Sequence, residues 1–245
     1  RLPTAATVAN PPHRNAAGIF LSTMGTVPIV DKGVQLARMT FRDREDAGRK
    51  LAAILGHHRG KPDTIVVALP RGGVVLGRIV ADELGVPLDL VVPRKIAAPE
   101  NDEYAIGAIT ETGEAVWNPG EMPRVNKAYL AGEIKKEIDE AARRLKLYRK
   151  GMPPRDLKGK TVIVVDDGIA TGFTMLAAVR TIKKERPKKI VVAVPVAPAD
   201  ADAALQSEAD EIVILFTPPS FGAIGAFYET FPQVDDQAVA SLMKQ

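Results

Sequence analysis

The sequence contains no cysteine, so disulfide bonds, thiolate nucleophiles and cysteine-ligated metals are all excluded. A protein without cysteine fits a reducing compartment, and we expect it in the cytoplasm. Aromatic residues make up only 5% of the chain, with a single tryptophan. A local cluster of aromatic side chains is therefore an informative feature wherever it occurs in this sequence.

Long runs of one residue class are also missing. No apolar segment reaches the roughly 20 residues of a membrane helix, and Arg1–Thr7 lacks the charged region and apolar core of a signal peptide. The formal net charge is only +3 for 245 residues. The densest basic segment, Lys183–Lys189, lies at a predicted helix end, where cations complement the helix dipole. We therefore expect neither a membrane partner nor a nucleic-acid partner.

Predicted strands and helices alternate from about Asp43 onward. The predicted strands are Thr64–Leu69, Leu88–Val92, Thr161–Val165, Lys189–Val194 and Glu211–Phe216. The predicted helices are Arg44–Leu55, Gly73–Leu84, Asn126–Tyr148, Gly172–Arg186, Asp200–Ser207 and Asp235–Met243. Between them, Ala105–Thr110 and Glu114–Trp117 predict a β-hairpin, with Trp117 packing the hairpin. This alternation predicts an α/β fold with a mostly parallel, doubly wound sheet that is covered on both faces.

The segment Thr161–Thr174, TVIVVDDGIATGFT, carries the clearest chemical pattern. A buried strand ends at the adjacent carboxylates Asp166 and Asp167, and a small-residue turn then leads into a helix. The free N–H groups and the dipole at a helix N-terminus suit a phosphate, whereas carboxylates suit vicinal hydroxyls or hydrated Mg²⁺. The pattern predicts a ribose 5-phosphate ligand. The alternative is a strand–turn–helix whose acid pair only caps the helix.

This segment resembles the phosphoribosyl-pyrophosphate signature of the type I phosphoribosyltransferases. The resemblance implies a phosphoribosyltransferase-like fold with a lid hairpin and a small C-terminal hood, Mg²⁺ as cofactor, and phosphoribosyl pyrophosphate and an acceptor as small-molecule partners. It also implies that Asp166 and Asp167 hold the ribose hydroxyls and contact the metal through water or ligand. The 5-phosphate site that it implies consists of Gly168, Ile169, Ala170, Thr171, Gly172, Phe173 and Thr174.

Two further loops follow predicted strands, at the sheet edge where open α/β folds bind ligands. Arg71, Gly72 and Gly73 follow the first strand and resemble the pyrophosphate loop of the same family, although a plain turn would also explain them. Arg94 and Lys95 begin a loop rich in helix and strand breakers, where the family carries a flexible lid. One of the two cations is expected to reach pyrophosphate, and the alternative is an ordinary surface loop. With Asp166 and Asp167, we take Arg71 and Lys95 as the catalytic candidates.

The segment Phe216–Phe231 holds much of the aromatic content of the chain, where the family has a hood over the acceptor at about residues 217–234. Phe221 is the candidate to stack on the acceptor, with Phe227 and Tyr228 behind it. The alternative is that these rings form only a core of their own. The loop Pro195–Asp200 is a second candidate for the acceptor pocket, or else Asp200 caps the next helix.

Two other features are assigned no ligand. His57 and His58 lie in a polar connection that we expect to be solvated, and their spacing does not indicate a metal site. The long charged helix is predicted to be a solvated face, with an apolar stripe of Ile134, Ile138 and Leu145. This stripe docks either on the domain or on a second subunit, so a homodimer remains open.

Residues 1–38 are rich in proline and lack a period, and we expect them to be an extension of unknown role. The stretch from Met39 resembles the customary start of related phosphoribosyltransferases, which places the domain at 39–245, with the lid hairpin at about 94–122. The resemblance implies transfer of ribose 5-phosphate from phosphoribosyl pyrophosphate to a nucleobase or similar acceptor, in nucleotide metabolism. One alternative is a non-catalytic regulatory protein that binds the same ligand or a nucleotide. Another is donor synthesis or phosphoribosyl hydrolysis, although no ATP-binding element supports donor synthesis.

Overall fold

The computed structural model describes residues 40–121, 125–199 and 201–244. The expected N-terminal extension, Met39 and the candidate cap Asp200 lie outside the described residues. The role and the boundary of the extension therefore stay predictions.

The described residues form eight β-strands and six α-helices. The strands are β1 Thr64–Ala68, β2 Leu88–Leu90, β3 Arg94–Ala98, β4 Asn101–Ile109, β5 Ala115–Trp117, β6 Thr161–Val165, β7 Lys189–Val196 and β8 Glu211–Phe216. The helices are α1 Arg44–Ile54, α2 Gly72–Leu84, α3 Lys127–Tyr148, α4 Phe173–Lys184, α5 Ala201–Gln206 and α6 Asp236–Leu242. Two 3₁₀ turns span Leu55–His58 and Ile224–Phe227. The bounds of β6 and β8 are those predicted, and most other predicted elements differ by one or two residues at an end.

Five strands pair in parallel, in the order β2-β1-β6-β7-β8. This confirms the predicted α/β fold with a mostly parallel sheet. The chain passes from β1 outward to β2 on one side, whereas β6 flanks β1 on the other, so the strand order reverses between β1 and β6. Ligands of open α/β sheets bind in the crevice at such a reversal, outside the carboxyl ends of the strands.

Both faces of this sheet are buried, as the uninterrupted β-branched runs predicted. Val66 and Ala68 of β1 belong to the core beneath α1 and α2. Ile65 and Val67 face the opposite core, which α4 covers. Each fully buried valine or isoleucine contributes roughly 1.5–3 kcal/mol relative to an exposed one, so the strands that carry the site are held by apolar packing on both sides.

Strands β3, β4 and β5 form a separate antiparallel sheet. The predicted hairpin corresponds to β4 and β5, but the prediction of a loop from Arg94 onward is wrong, because Arg94–Ala98 is a strand. Ile96 has no exposed surface and packs with Ile106 and Ile109 of β4. Pairing and burial across this sheet overcome the weak strand propensity of the short sequence RKIAA.

Helix α3 docks on its own domain. Ile134 and Ile138 pack against the small antiparallel sheet, as does Trp117, while Leu145 packs on the main core. Arg149, just after α3, makes two hydrogen bonds of 2.8 and 2.9 Å to the carboxylate of Asp89 in β2. Within the described part of the chain, no helix combines the length and the hydropathy that would be needed to cross a bilayer.

The start of the described chain pairs with a segment near its end. Phe41 donates its N–H to the Phe227 carbonyl at 2.8 Å, and the N–H of Glu229 donates to the Phe41 carbonyl at 2.8 Å. The Phe41 and Tyr228 rings lie 5.4 Å apart. These contacts fasten the residues before α1 to the segment that follows the second 3₁₀ turn.

Candidate functional site

A cavity of about 540 Å³ opens where β1 and β6 end. Ten of the predicted site residues line it: Arg71, Gly72, Arg94, Lys95, Asp166, Asp167, Gly168, Ala170, Thr171 and Thr174. Five others, Gly73, Ile169, Gly172, Phe173 and Phe221, are not among the lining residues. The cavity thus brings together groups from three separate loops that the sequence only suggested as neighbours.

The loop from Asp166 to Gly172 carries the chain from β6 into α4. Gly172 adopts a φ of +79°, which glycine reaches without strain, and the N–H of Ile169 is anchored on the Val196 carbonyl at 2.9 Å. The amide groups of Ala170–Thr174 donate no hydrogen bond to any other described residue. Free amides and a helix N-terminus beside a cavity form a suitable site for an anion.

Asp166 and Asp167 form an acid pair at the end of β6. The N–H of Asp167 donates to Asp166 Oδ1 at 2.8 Å. Burial, and the neighbouring Asp167 carboxylate, raise the pKa of Asp166 well above its usual range. Burial also raises the pKa of Asp167, against the opposing effect of the Arg44 guanidinium. The pair therefore holds negative charge where solvent stabilises it poorly, and a bound cation or hydroxyl donor is favoured there.

Arg44, at the start of α1, holds Asp167 in place. Its Nε donates to Asp167 Oδ2 at 2.9 Å, one of its terminal nitrogens donates to the Pro232 carbonyl at 2.6 Å, and its guanidinium lies 3.7 Å above the Phe231 ring. The Tyr228 hydroxyl donates to the Asp167 carbonyl at 2.6 Å. Asp167 is thus fixed by residues 123 positions before and 61 positions after it, and nothing in the local sequence indicated these partners.

The glycines after β1 allow their loop to approach the acid pair. A Cβ atom on Gly72 would lie 1.9 Å from Asp167 Oδ2. A Cβ on Gly73 would lie 2.9 Å from both the Asp166 Cα and the Val165 carbonyl oxygen. Arg71 precedes them in a cis peptide with Pro70, and its guanidinium lies 3.7 Å from Asp236. Gly73 therefore serves close packing, while Arg71 and Gly72 face the cavity.

The opposite wall separates the two cations of β3. Arg94 Nε donates to Glu137 Oε2 of α3 at 2.6 Å, and Glu137 is buried. Lys95 is exposed on the cavity and makes no ion pair with another described residue. Glu133, Lys136 and Glu137 also line the cavity, so the prediction that α3 only presents a solvated face is wrong. Its charged residues lie on two faces, and sequence spacing alone did not distinguish them.

The aromatic segment near the C-terminus packs on itself. The Phe221 ring lies 5.3 Å from that of Phe227, which in turn lies 6.0 Å from Phe216. The residue of this segment that lines the cavity is Ile224, and a Cβ on Gly168 would lie 2.8 Å from its side chain. The geometry thus places Ile224, rather than Phe221, next to the DDG loop.

The oxygen-rich acid pair fits a hard cation. Each carboxylate offers a second oxygen besides the one that accepts from Arg44 or from the backbone, and Mg²⁺ prefers one or two carboxylates completed by water and phosphate oxygens. Asp166 and Asp167 are therefore the described residues of this cavity that suit Mg²⁺ held through water.

Comparison with known proteins identifies similar chains. A family model described as a phosphoribosyl transferase domain matches residues 41–221. Two curated Mycobacterium tuberculosis proteins, MT0597 and Rv0571c, whose names assign them provisionally to the phosphoribosyl transferases, are each 40% identical over 205 residues. This match covers 83% of this chain and 46% of each relative, so the chain spans about half of their length. The crystal structure of TT1426 from Thermus thermophilus is 42% identical, with a TM-score of 0.69, over 84% of this chain and 98% of that one.

Proposed function

Because the chain belongs to the phosphoribosyltransferase family, we propose that it transfers ribose 5-phosphate from phosphoribosyl pyrophosphate to a small-molecule acceptor. The observation that carries this proposal is the cavity in which the free amides of Ala170–Thr174 lie beside Asp166 and Asp167. An anion site next to two acids matches a ligand with a phosphate at one end and vicinal hydroxyls beside it.

Each part of the donor has a group that suits it. The amides of Ala170–Thr174 and the hydroxyls of Thr171 and Thr174 bind the 5-phosphate. Asp166 and Asp167 accept hydrogen bonds from the ribose hydroxyls. Arg71 and Lys95, on opposite walls of the cavity, bind the pyrophosphate. Ile224 offers an apolar surface to the acceptor.

In the proposed reaction, the bond from the anomeric carbon to pyrophosphate breaks, and its electron pair stays on the pyrophosphate oxygen. A lone pair of the acceptor forms the new bond to the same carbon. Positive charge that develops on the ribosyl ring lies near Asp166 and Asp167, and negative charge on the leaving group lies near Arg71 and Lys95. The protein then acts by positioning and electrostatic stabilisation. Mg²⁺, when bound, would neutralise pyrophosphate oxygens, with Asp166 and Asp167 holding it through water.

The proposal is tested with phosphoribosyl pyrophosphate, Mg²⁺ and a panel of bases. We expect the donor with Mg²⁺ to raise the melting temperature in a concentration-dependent way, since a ligand that binds only the folded state stabilises it. We also expect pyrophosphate release with at least one acceptor. Donor binding without release on any acceptor would favour a regulatory ligand-binding protein. Absence of donor binding would contradict both functions.

Lys95→Ala is expected to weaken binding of the pyrophosphate-bearing donor by roughly 10- to 100-fold, because a charge-assisted hydrogen bond contributes about 1.5–3 kcal/mol. Affinity for ribose 5-phosphate, which lacks the pyrophosphate, should stay unchanged. Titration calorimetry with both ligands measures this difference. Lys150→Ala, at an exposed lysine that does not line the cavity, is the control. Equal losses for both ligands in Lys95→Ala would contradict the assignment.

A further inference from the structure

A second cluster of potential ligand atoms lies near the amino ends of β7 and β8. His57 and His58 lie in the 3₁₀ turn after α1, and Glu211 is the first residue of β8. One ligand atom from each of the three side chains lies within 4.8 Å of the other two. The prediction of a solvated connection is wrong for His58, which is only 4% exposed. Folding brings in Glu211, which is remote in sequence, so the spacing of the histidines could not reveal this cluster.

The imidazole of His58 has no partner for its polar atoms. Both of its ring nitrogens are buried, and neither forms a hydrogen bond with the described residues. A buried polar group without a partner carries a desolvation cost, and such groups are uncommon in folded proteins. Burial, together with the nearby charge of His57, lowers the pKa of His58 to about 4. The ring is therefore neutral at pH 7, with a lone pair available to a ligand.

The other charges around the cluster leave room for a cation. Lys189 Nζ donates to Glu211 Oε2 at 2.6 Å, which leaves Oε1 as the oxygen for a further partner. Donor atoms around a tetrahedral metal lie about 3.3 Å apart when each is about 2.0–2.1 Å from the ion. A small rotation of the exposed His57 ring and of Glu211 would bring the three atoms to that separation. Lys189 and Lys61 are the cations whose charge opposes binding.

We propose that His57, His58 and Glu211 bind a divalent transition-metal cation of the zinc class. Two imidazole nitrogens and one carboxylate oxygen match the ligands that Zn²⁺ prefers, and three protein ligands leave a fourth position for water. Mg²⁺ is a poor fit because it demands oxygen ligands. The five residues of β1 rise about 3.3 Å each, so the cluster lies at the far edge of the sheet from the acid pair. A bound cation would link the end of α1 to the edge strand β8 and take no part in transfer.

The proposal is tested with Zn²⁺ alone on protein that carries no histidine tag and has been treated with a chelator. We expect saturable binding of one Zn²⁺ per chain in calorimetry, together with a rise in melting temperature. Co²⁺ should bind in its place and give the visible absorption of a tetrahedral nitrogen–oxygen site. Absence of saturable one-to-one Zn²⁺ binding would overturn the proposal.

Three variants isolate the ligands without altering buried His58. His57→Ala and Glu211→Gln should each weaken Zn²⁺ by more than the roughly 10- to 100-fold that loss of an outer-sphere contact causes. Lys189→Ala is the matched control: like Glu211→Gln it breaks the Lys189–Glu211 ion pair, but it removes no ligand, so binding should be retained or tightened. Wild-type affinity in Glu211→Gln would overturn the proposal. Stabilisation by phosphoribosyl pyrophosphate and Mg²⁺ should be the same in all three variants, so this test stands apart from that of the proposed function.

Discussion

Replacement of both Asp166 and Asp167 by asparagine is expected to lower donor affinity or turnover by roughly 100- to 10,000-fold. A hydrogen bond to a charged group contributes about 1.5–3 kcal/mol, and the double variant weakens at least two such bonds to the ribose hydroxyls. It also removes the charge that would oppose the developing positive ribosyl centre. Donor titration calorimetry and pyrophosphate release measure the two effects separately.

The fold should survive this double substitution. Asparagine has nearly the same shape as aspartate, and its amide oxygen can accept from Arg44, although the nearly buried guanidinium then loses its counter-charge. Asp82→Asn with Asp139→Asn, two exposed helix acids, is the matched control and should leave binding unchanged. Circular dichroism verifies folding in both proteins. A folded Asp166→Asn, Asp167→Asn protein with unaltered donor binding and turnover would reject the proposed roles.

Gly73→Ala is expected to destabilise the protein by about 1–3 kcal/mol, the usual cost of an extra methyl group in a packed site, and to impair donor binding as well. The obstacle is backbone: the new Cβ would lie 2.9 Å from the Asp166 Cα and from the Val165 carbonyl oxygen. Since neither atom can rotate away, the loop after β1 must move off the acid pair. Urea unfolding measures the stability, and calorimetry measures the donor affinity.

Gly132→Ala provides a control of opposite sign. Gly132 is exposed within α3, and a Cβ there would meet no atom within 4 Å. Alanine in a helix interior is more stable than glycine by about 0.8–1 kcal/mol, so this variant should gain stability and keep donor binding. If Gly73→Ala matched Gly132→Ala in both measurements, the close approach of the loop to the acid pair would have no energetic importance.

The α/β fold could be predicted because its signals are local. Strand β6 is one uninterrupted β-branched run that ends in two acids, and its predicted bounds match the structure. Strand β3 could not be predicted in the same way. Its five residues are polar at one end and small at the other, and only pairing with β4 and the burial of Ile96 make them a strand.

The candidate site divides along the same line. The loops after β1 and β6 carry their own glycine and acid patterns, and the parallel sheet brings them to one edge. Arg44 and Glu137 had no such pattern, because each acts through a partner far along the chain, Asp167 and Arg94 respectively. Within a charged helix, sequence alone does not distinguish the one glutamate that turns inward. The cluster of His58 with Glu211 is a further contact of this kind.

The pairing of Phe41 with Tyr228 bears on where the functional unit stops. Similarity to the family model ends at Phe221, yet the Tyr228 hydroxyl and the Phe231 ring, which hold Asp167 and Arg44, come after that point. A truncation at the end of the family match would keep every glycine of the two binding loops and still release the acid between them. The minimal working domain therefore extends at least through Pro232, whose carbonyl accepts from Arg44.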